Sequence, residues 1–494
     1  MRRLKPFAML ALIPVAAMAQ PAWLQFAGNA AHSAAATVPA QKLARIVWQT
    51  AVDLDPQYSS NELLAHYGSP LVTAANTVII PVKTGAAGGF RVDARAGSNG
   101  VLQWSQTSDY ILPPHDWTPE FAPVLVANRV YFPGAGGTIY YRDNPDSPGG
   151  TSGQIAFYGF SNYQADPAAY SSSVIINTPL TADTAGNIYF GFIVVGAAPL
   201  GLSSGIARVS ASGQGSWVSV TTAAGDLSMT EVKQNSAPAL SLDQQELYVA
   251  ISNGINGYLV ELNAASLAPA ARIAMIDPKS GEGAWLDDDS SSAPTVGPDG
   301  DVYYGVLETP PMENNYRGWL LHFDANLTTM KTPGSFGWDD TASVVPASLV
   351  PSYQGTSQYL VMTKYNDYIG AGGNGENRIA VLDPNATEPD PINGATVMRE
   401  VLTMLGPTPS AAGGVKEWCI NSAAIDAPDA SIMVGSEDGK LYRWDLKANT
   451  LSESIALTSG LGEAYTPTAI GPDGKVYAIN NATLFAVGEV RPRR

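Results

Sequence analysis

Acidic and aromatic residues recur at one position of the sequence pattern, a few residues ahead of a repeated proline-containing step. These short groups are, in chain order, His66-Tyr67, His115-Asp116-Trp117 with Glu120, Glu231 with Lys233, Trp285 with Asp287-Asp288-Asp289, Trp338-Asp339-Asp340, Glu417-Trp418, and Glu463 with Tyr465. Carboxylates beside flat apolar rings can bind a sugar-like ring, a cation such as Ca²⁺ or a quaternary amine. The groups therefore predict binding chemistry if the fold brings them together.

The step that follows these groups is an internal repeat. Its clearest copies run from Ser292 to Tyr304 and from Thr466 to Tyr477, each with a proline, an apolar run, a Pro-Asp-Gly turn and an aromatic strand. Further copies open at Ser69-Pro70, Ala122-Pro123, Thr178-Pro179, Ala237-Pro238 and Val345-Pro346, with a degenerate copy at Asn421-Ser422-Ala423-Ala424. A mean spacing of roughly 57 residues suits a four-stranded blade with its loops.

Almost every periodic segment reads as a short strand rich in β-branched or aromatic residues, and long amphipathic helical patterns are absent. The sequence therefore predicts an all-β fold, an eight-bladed β-propeller of four-stranded antiparallel blades. Residues 45–52 could supply the strand missing from the last blade, so that an N-terminal strand closes the ring and hides two sheet edges. We expect residues 20–44 to wrap the outside, and residues of about 141–175 and 370–414 to be long loop insertions on a propeller face.

Residues 1–19 have the layout of a cleavable secretory signal, with basic Arg2, Arg3 and Lys5 ahead of a short apolar stretch. They predict a secreted or periplasmic protein in which residues 20–494 form one propeller domain. A net charge of −17 argues against nucleic acid as a partner. The one cysteine, Cys419, excludes an intramolecular disulfide, and its apolar neighbours favour a buried structural thiol.

Each candidate residue also has a structural interpretation. Tryptophan and tyrosine at a strand mouth commonly pack between blades, and aspartate commonly caps a turn. Among the few histidines, His66 and His115 lie in neighbouring connections, where either could act as a general base or as a metal ligand. Asp116 adds a carboxylate beside His115. No spacing supplies a third metal ligand, so neither a metal site nor a catalytic role is assigned. The predicted ligand-binding residues are Trp117, Glu120, Asp288, Trp338, Asp339, Asp340, Glu417, Trp418, Glu463 and Tyr465.

The repeats resemble those of the pyrroloquinoline-quinone (PQQ) type β-propeller superfamily, which includes quinoprotein dehydrogenases and outer-membrane assembly propellers. The segment from Trp23 to His32 resembles the tryptophan-led opening segment of that group, and the Asp-Gly-x-Val-Tyr copies resemble its inner two strands. The resemblance implies the fold across nearly the whole mature chain. In the family's alcohol dehydrogenases a disulfide of adjacent cysteines lies over the quinone, which this chain cannot form, so the resemblance makes PQQ a less favoured cofactor than Ca²⁺.

We interpret the sequence as an exported ligand-binding propeller whose acidic-aromatic funnel takes a small polar, sugar-like or cationic ligand. Two alternatives stay open at this point. One is a quinone-dependent dehydrogenase or a polysaccharide-active enzyme that uses His115, Asp116 and neighbouring carboxylates. The other is an assembly scaffold that recruits protein partners through its blade edges.

Overall fold

The computed structural model of the chain describes residues 22–59, 62–288, 290–418, 420–460 and 467–489. Its strands form eight small sheets arranged as the blades of a propeller, which confirms the all-β, eight-bladed fold. The signal sequence predicted for residues 1–19 lies outside the described residues. No helix in the described ranges is both long enough and apolar enough to cross a membrane.

Blades 1 to 4 follow one another along the chain, each from its innermost to its outermost strand. The strands of blades 1 and 2 are Leu71–Val72, Thr77–Gly85, Gly88–Ala96 and Leu102–Ser108, then Val124–Val126, Arg129–Pro133, Thr138–Asp143 and Ser152–Ala156. Those of blades 3 and 4 are Val174–Ile176 with Thr181–Ala182, Ile188–Val194, Gly205–Val209 and Gly215–Ser219, then Glu231–Val232 with Ala239–Leu240, Glu246–Ser252, Gly257–Asn263 and Pro269–Ala274.

Blades 5 to 8 complete the circle. The strands of blades 5 and 6 are Thr295–Val296, Val302–Val306 and Trp319–Phe323, then Ser343–Pro346, Tyr359–Tyr365, Arg378–Pro389 and Thr396–Leu405. Those of blades 7 and 8 are Ala424–Asp426, Ser431–Gly435, Lys440–Asp445 and Thr450–Ala456, then Ala469–Ile470, Val476–Asn480, Thr483–Gly488 and Arg45–Ala51. In blade 8, Arg45–Ala51 pairs antiparallel with Thr483–Gly488.

The remaining elements are short. A two-stranded ribbon pairs Tyr58–Ser59 with Glu62–Leu63, and Ala35–Ala36 pairs parallel with the innermost strand of blade 7. The α-helices are Phe160–Ala165, Pro167–Ser173 and Val220–Ala224, and the 3-10 turns are Phe26–Gly28, Ala135–Gly137, Pro199–Gly201, Ala347–Leu349 and Ile369–Ala371.

The core lies between blades, because both faces of a blade pack against its neighbours. Inner strands are accordingly almost continuously buried, as along Ile188–Val194, instead of alternating buried and exposed residues. Polar contacts join blades within this core: the hydroxyls of Tyr303 in blade 5 and Tyr359 in blade 6 lie 2.6 Å apart. Packing of this kind holds neighbouring blades together.

Blade 5 differs from the predicted four-stranded pattern. It has three strands, and residues 330–334 meet its outer strand only at isolated bridges, Phe323 with Met330 and Leu320 with Gly334. Pro333 lies within this stretch and has no N–H to donate to a ladder. The regions expected to be loop insertions are also partly regular, because 141–175 contains a strand and two helices and 370–414 contains the two outer strands of blade 6.

The N-terminal segment, residues 22–41, lies against the innermost strands rather than around the outside as expected. Its backbone exchanges two hydrogen bonds with Val72 of blade 1 and accepts one each from Leu125, Leu240, Val296, Val344 and Ile425 of blades 2, 4, 5, 6 and 7. The side chain of Gln25 bonds to Ala182 of blade 3, and the backbone N–H of Gln41 donates to Gly474 of blade 8. The segment therefore bonds to every blade at one face of the ring.

These bonds also correct the position of the sixth repeat. Val296 and Val344 make equivalent bonds to the N-terminal segment, so the residue that corresponds to Pro294 is Ala342 and not Pro346. Pro346 is instead the last residue of its strand. Alanine replaces proline at this step, as in the degenerate seventh copy, which removes the sequence signal that marks the other six copies.

Candidate functional site

The connections that lead into the innermost strands meet at the face opposite the N-terminal segment. Here they enclose a cavity of about 420 Å³. Its aromatic lining residues are Trp117, Trp285, Trp338, Tyr316 and Tyr368, and its other lining residues are Glu62, Asp287, Asp339, Glu417 and Leu307. Four of the predicted ligand-binding residues thus line one cavity, namely Trp117, Trp338, Asp339 and Glu417.

Trp117 is placed by backbone pairing between two connections. The N–H of Thr118 donates to the carbonyl of Leu64 at 3.0 Å, and the carbonyl of Thr118 accepts from the N–H of His66 at 2.8 Å. The buried His66 ring packs beside the Trp117 indole, with centroids 5.5 Å apart. His66 therefore supports an aromatic wall of the cavity.

Trp285 and Trp338 come from the connections before and after blade 5. Trp285 exchanges two backbone hydrogen bonds with Leu307, at 3.1 and 2.9 Å, which fixes both residues at the cavity edge. Trp338 lies against Gly318, whose φ is +61°; a Cβ there would meet the Cβ of Trp338 at 2.5 Å and the carbonyl of Val306 at 2.2 Å. A glycine is needed at this position for both its φ and its close approach to the tryptophan.

Tyr316 stands on a loop of blade 5 that is organised by one buried carboxylate. Glu308 accepts backbone N–H bonds from Asn314 at 3.2 Å, Tyr316 at 2.7 Å and Gly318 at 2.9 Å. Burial raises the pKa of Glu308, and these backbone bonds oppose that shift. The loop is thereby held in the conformation that places Tyr316 in the cavity wall.

Tyr368 stands on the corresponding loop of blade 6, and the two loops are joined. The N–H of Tyr368 donates to the carbonyl of Asn315 at 3.3 Å, and the Asn315 amide donates to Asp367 at 2.8 Å. A second chamber of about 410 Å³ adjoins the cavity here and shares Tyr316, Tyr368 and Glu417 with it. The two tyrosines therefore stand between the two chambers.

Two buried lysines lie beside the carboxylates of this region. Lys364 Nζ is 3.1 Å from Asp339, which also accepts hydrogen bonds from the N–H and hydroxyl of Ser291. Lys233 Nζ is 2.6 Å from Asp288 and 3.6 Å from Glu231, whose pKa is raised by burial. Asp288, half-exposed, is thus paired to a lysine and is not among the residues that line the cavity.

Glu120 lies in a buried polar layer on the axis of the ring. Its carboxylate accepts from the Asn421 amide at 2.7 Å, and its N–H donates to the Asn235 side chain at 3.0 Å. Glu120 and Asn421 directly precede blades 2 and 7, and Asn235 lies between the two inner segments of blade 4, so their contacts join separate blades across the centre of the ring. Burial raises the pKa of Glu120 well above its usual range. Glu120 joins the blades at the axis and does not line the cavity.

Asp340 and Trp418 are also buried away from the cavity. The carboxylate of Asp340 accepts from the Thr363 hydroxyl at 2.8 Å and the Lys364 N–H at 3.1 Å, and burial raises its pKa to about 7. Trp418 is fully buried and packs edge-on against Tyr442, with centroids 5.7 Å apart. These two residues therefore pack and hydrogen-bond within the protein and do not contact the cavity.

Of the predicted catalytic candidates, His66 lies behind the cavity wall at Trp117, whereas His115 and Asp116 lie away from the cavity. His115 and Asp116 are exposed, and the His115 ring bonds locally to the carbonyl of Pro113 at 2.6 Å. Neither residue lines the cavity. Asp289, Cys419, Glu463 and Tyr465 lie outside the described residues. Within the described ranges, no group of three or more His, Cys, Asp or Glu residues is arranged to hold a metal ion.

Sequence reasoning missed some of the lining residues. Glu62, Leu307, Tyr316 and Tyr368 were not among the candidates, and Asn235 was not expected on the axis. A signal for Asn235 was present, because an asparagine followed by serine or threonine opens the repeated step at Asn177, Asn235 and Asn421. No repeated sequence pattern marks Tyr316 and Tyr368, because they lie in loops between two strands of the same blade.

Comparison of the chain with protein-family models and with curated protein sequences gives no match. Solved structures do match its fold. A europium-containing methanol dehydrogenase is 10% identical, with a TM-score of 0.56 over 92% of this chain and 89% of its own. The quinohemoprotein alcohol dehydrogenase from Comamonas testosteroni is 10% identical, with a TM-score of 0.54 over 96% and 82%. The Dos1 propeller is 10% identical, with a TM-score of 0.51 over 91% and 94%.

The protein is therefore an eight-bladed β-propeller with the fold of the quinoprotein alcohol dehydrogenases, as the repeats indicated. At such low identity the likeness concerns the fold alone. The cavity lining does not fit pyrroloquinoline quinone, which is a tricarboxylate. Four carboxylates line the cavity, and none of the described lining residues is lysine, arginine or histidine. Like charges would repel the cofactor.

Proposed function

We propose that this chain is an exported binding protein whose central cavity, at the face opposite the N-terminal segment, takes a small polar ligand. The observation that carries the proposal is the cavity itself: five aromatic rings and four carboxylates, drawn from several connections and two blade loops, converge on about 420 Å³. Ligand sites are typically concave and lined by apolar and aromatic groups with a few placed polar ones. This cavity has that composition.

The rigidity of the walls supports the same function. Backbone pairing at Thr118 and Leu307, the Glu308 carboxylate and the bond between the two tyrosine loops hold the rings through contacts within the protein. A site held in place in advance spends less binding free energy on ordering its side chains. Export is part of the proposal and is supported by the sequence of residues 1–19.

The rival functions have less support from the residues present. For the dehydrogenase, the cavity charge opposes the quinone; for a polysaccharide-active enzyme, His115 and Asp116 lie outside the cavity. A scaffold would use surfaces such as the groove of about 580 Å³ between the outer strands of blades 2 and 3, where Trp217 and Phe160 lie. That groove has none of the carboxylates that mark the central cavity.

A thermal-shift screen tests the proposal with Ca²⁺, neutral sugars, alkylated amines and PQQ with Ca²⁺ as probes. Binding to the folded state stabilises it by about 2.7 kcal/mol when the ligand is at a hundred times its Kd, so a true ligand raises the unfolding midpoint. We expect a rise with a sugar or an amine, its loss in the double variant Trp285→Leu and Trp338→Leu, and its retention in the matched control Trp217→Leu. A rise that survives the double variant would place the ligand elsewhere.

A further inference from the structure

We propose that the ligand of the central cavity is an organic cation, an ammonium group that carries alkyl substituents. This inference rests on the proposed binding function and names the class of ligand. Two independent properties of the cavity lead to it, the nature of its walls and the sign of its charge.

The walls offer aromatic faces to a ligand. Trp117, Trp285 and Trp338 are half-buried, as are Tyr316 and Tyr368, so part of each ring is accessible from the cavity. The negative face of an aromatic ring attracts a cation, and tryptophan attracts it most strongly. Alkyl groups on the cation add apolar contact with the same rings. Cages of aromatic rings are used for this purpose in ligand recognition.

The charge of the cavity has the complementary sign. Glu62, Asp287, Asp339 and Glu417 line it, and no described lining residue is basic. Lys364 offsets the charge of Asp339, to which it is held at 3.1 Å from beneath the cavity. The whole chain, with 44 acidic and 27 basic residues, adds a field of the same sign that attracts cations from solution.

The alternatives use only one of the two properties. A bare metal ion takes oxygen ligands and gains little from five aromatic walls. A neutral sugar gains from stacking on the rings and from donating hydroxyl hydrogen bonds to the carboxylates, but it does not neutralise their negative charge. An alkylated ammonium ion uses both the rings and the carboxylates. The adjoining chamber of about 410 Å³ beyond Tyr316 and Tyr368 leaves room for a substituent on the nitrogen.

Calorimetric titration of the folded protein with choline, and with its neutral carbon isostere dimethylbutanol, tests this inference. The two probes have the same shape and differ in charge. We expect choline to bind at least about tenfold more tightly, because both cation–π and Coulomb attraction are lost in the isostere. We also expect the choline affinity to fall as salt is raised, whereas that of the isostere should not.

Variants separate charge from shape. Asp287→Asn and Glu417→Gln should each weaken choline binding several-fold while leaving the isostere unaffected, and Trp285→Leu should weaken both probes. The matched control is Asp243→Asn, which removes one negative charge from the turn that bonds Ser241 beside the N-terminal segment, at the opposite face. An equal loss in the control would mean that only the overall charge of the molecule matters, which would overturn the inference.

The outcomes distinguish this inference from the function on which it rests. If neutral sugars or dimethylbutanol bind as tightly as choline, and Trp285→Leu abolishes their binding, the binding site stands and the cation is wrong. If neither choline nor any neutral probe binds, both the inference and the proposed function fail. Tighter binding of choline that depends on Asp287 and Glu417 supports both.

Discussion

Asp340 is a buried carboxyl group in the polar layer below the cavity, and its surroundings change its pKa. Burial raises its pKa to about 7, although Lys364 and two hydrogen-bond donors act in the opposite direction. Glu120 in the same layer has its pKa raised by the same cause. Asp339, adjacent in sequence, differs because it is paired directly with Lys364. The two adjacent carboxyl groups thus differ in role: Asp340 is buried within the structure, and Asp339 lines the cavity.

Asp340→Asn is expected to change how stability depends on pH. Because the folded-state pKa is raised, the stability that protonated Asp340 contributes is present below its unfolded pKa of 3.8 and is lost as the pH rises through about 7. The wild type should therefore lose up to about 1.4 kcal/mol per pH unit, relative to the asparagine variant, within this window.

Urea unfolding at pH 4 and at pH 8 measures this difference. We expect the two proteins to be alike at pH 4 and the variant to be more stable at pH 8. The exposed Asp116→Asn serves as the control and should show no such trend. A variant less stable than the wild type at pH 8 would mean that the fold does not raise the pKa of Asp340, and it would contradict this prediction.

Among the elements, the loops inside blades 5 and 6 contribute most to the shape of the site. The loop from Thr309 to Gly318 is built around Glu308. Its own Arg317 is fully buried and pairs at 3.0 Å with Asp390, which belongs to blade 6. The Asn315 carbonyl of this loop accepts a hydrogen bond from the N–H of Tyr368, so the loop of blade 6 is held against it. The tyrosine wall is therefore positioned by a carboxylate that does not itself line the cavity.

Glu308→Gln is expected to loosen this loop. Glutamine offers one acceptor oxygen where glutamate offers two, so at least one of the three backbone N–H groups loses its partner, at a cost of about 1–3 kcal/mol. Hydrogen exchange of the amides of residues 309–318 should become faster, and ligand affinity should fall. The control is Glu313→Gln in the same loop, where the pair with Lys279 at 3.2 Å is partly exposed and should matter little. Equal effects of the two variants would contradict this role of Glu308.

The repeats allowed the blades to be predicted, because the step into the innermost strand recurs along the chain and keeps its proline in six of the eight copies. They also predicted that Trp117, Trp338, Asp339 and Glu417 would meet, since all four lie in connections of one kind. The repeats did not indicate which of these aromatic residues would be buried in the core and which would line the cavity. Trp418 and Trp338 are both next to acids in the sequence, yet one packs inside the blade core and the other lines a cavity. Tyr316 and Tyr368 depend on loop shape, which no repeat encodes.

At the scale of the whole molecule, the two faces of the ring differ. One is open at the cavity, and the other is bonded blade by blade to residues 22–41. His32 is buried in this segment, and its Nδ1 lies 2.7 Å from the carbonyl of Pro294. Burial lowers the pKa of His32 to about 4, which favours its neutral form. The segment thus belongs to the core of the ring, and it satisfies backbone groups of the innermost strands.

Removal of residues 22–36 should therefore expose the inner strands. The amides of Leu125, Leu240, Val296, Val344 and Ile425 donate to this segment, so their protection from hydrogen exchange should fall. Outermost strands such as Thr450–Ala456 make no such bonds and serve as the internal reference. Unchanged protection of the inner strands in the shortened chain would contradict a structural role for the segment.

The most direct test of the central claim is fluorine NMR of the protein labelled with fluorotryptophan and titrated with choline. The three tryptophans of the cavity, Trp117, Trp285 and Trp338, are assigned by single replacement with phenylalanine and compared with Trp104, Trp217 and Trp444 elsewhere. We expect saturable shifts of the three cavity resonances and none of the other three. Saturable shifts confined to tryptophans outside the cavity, or no shift at any tryptophan, would contradict the account of this cavity as a binding site for an organic cation.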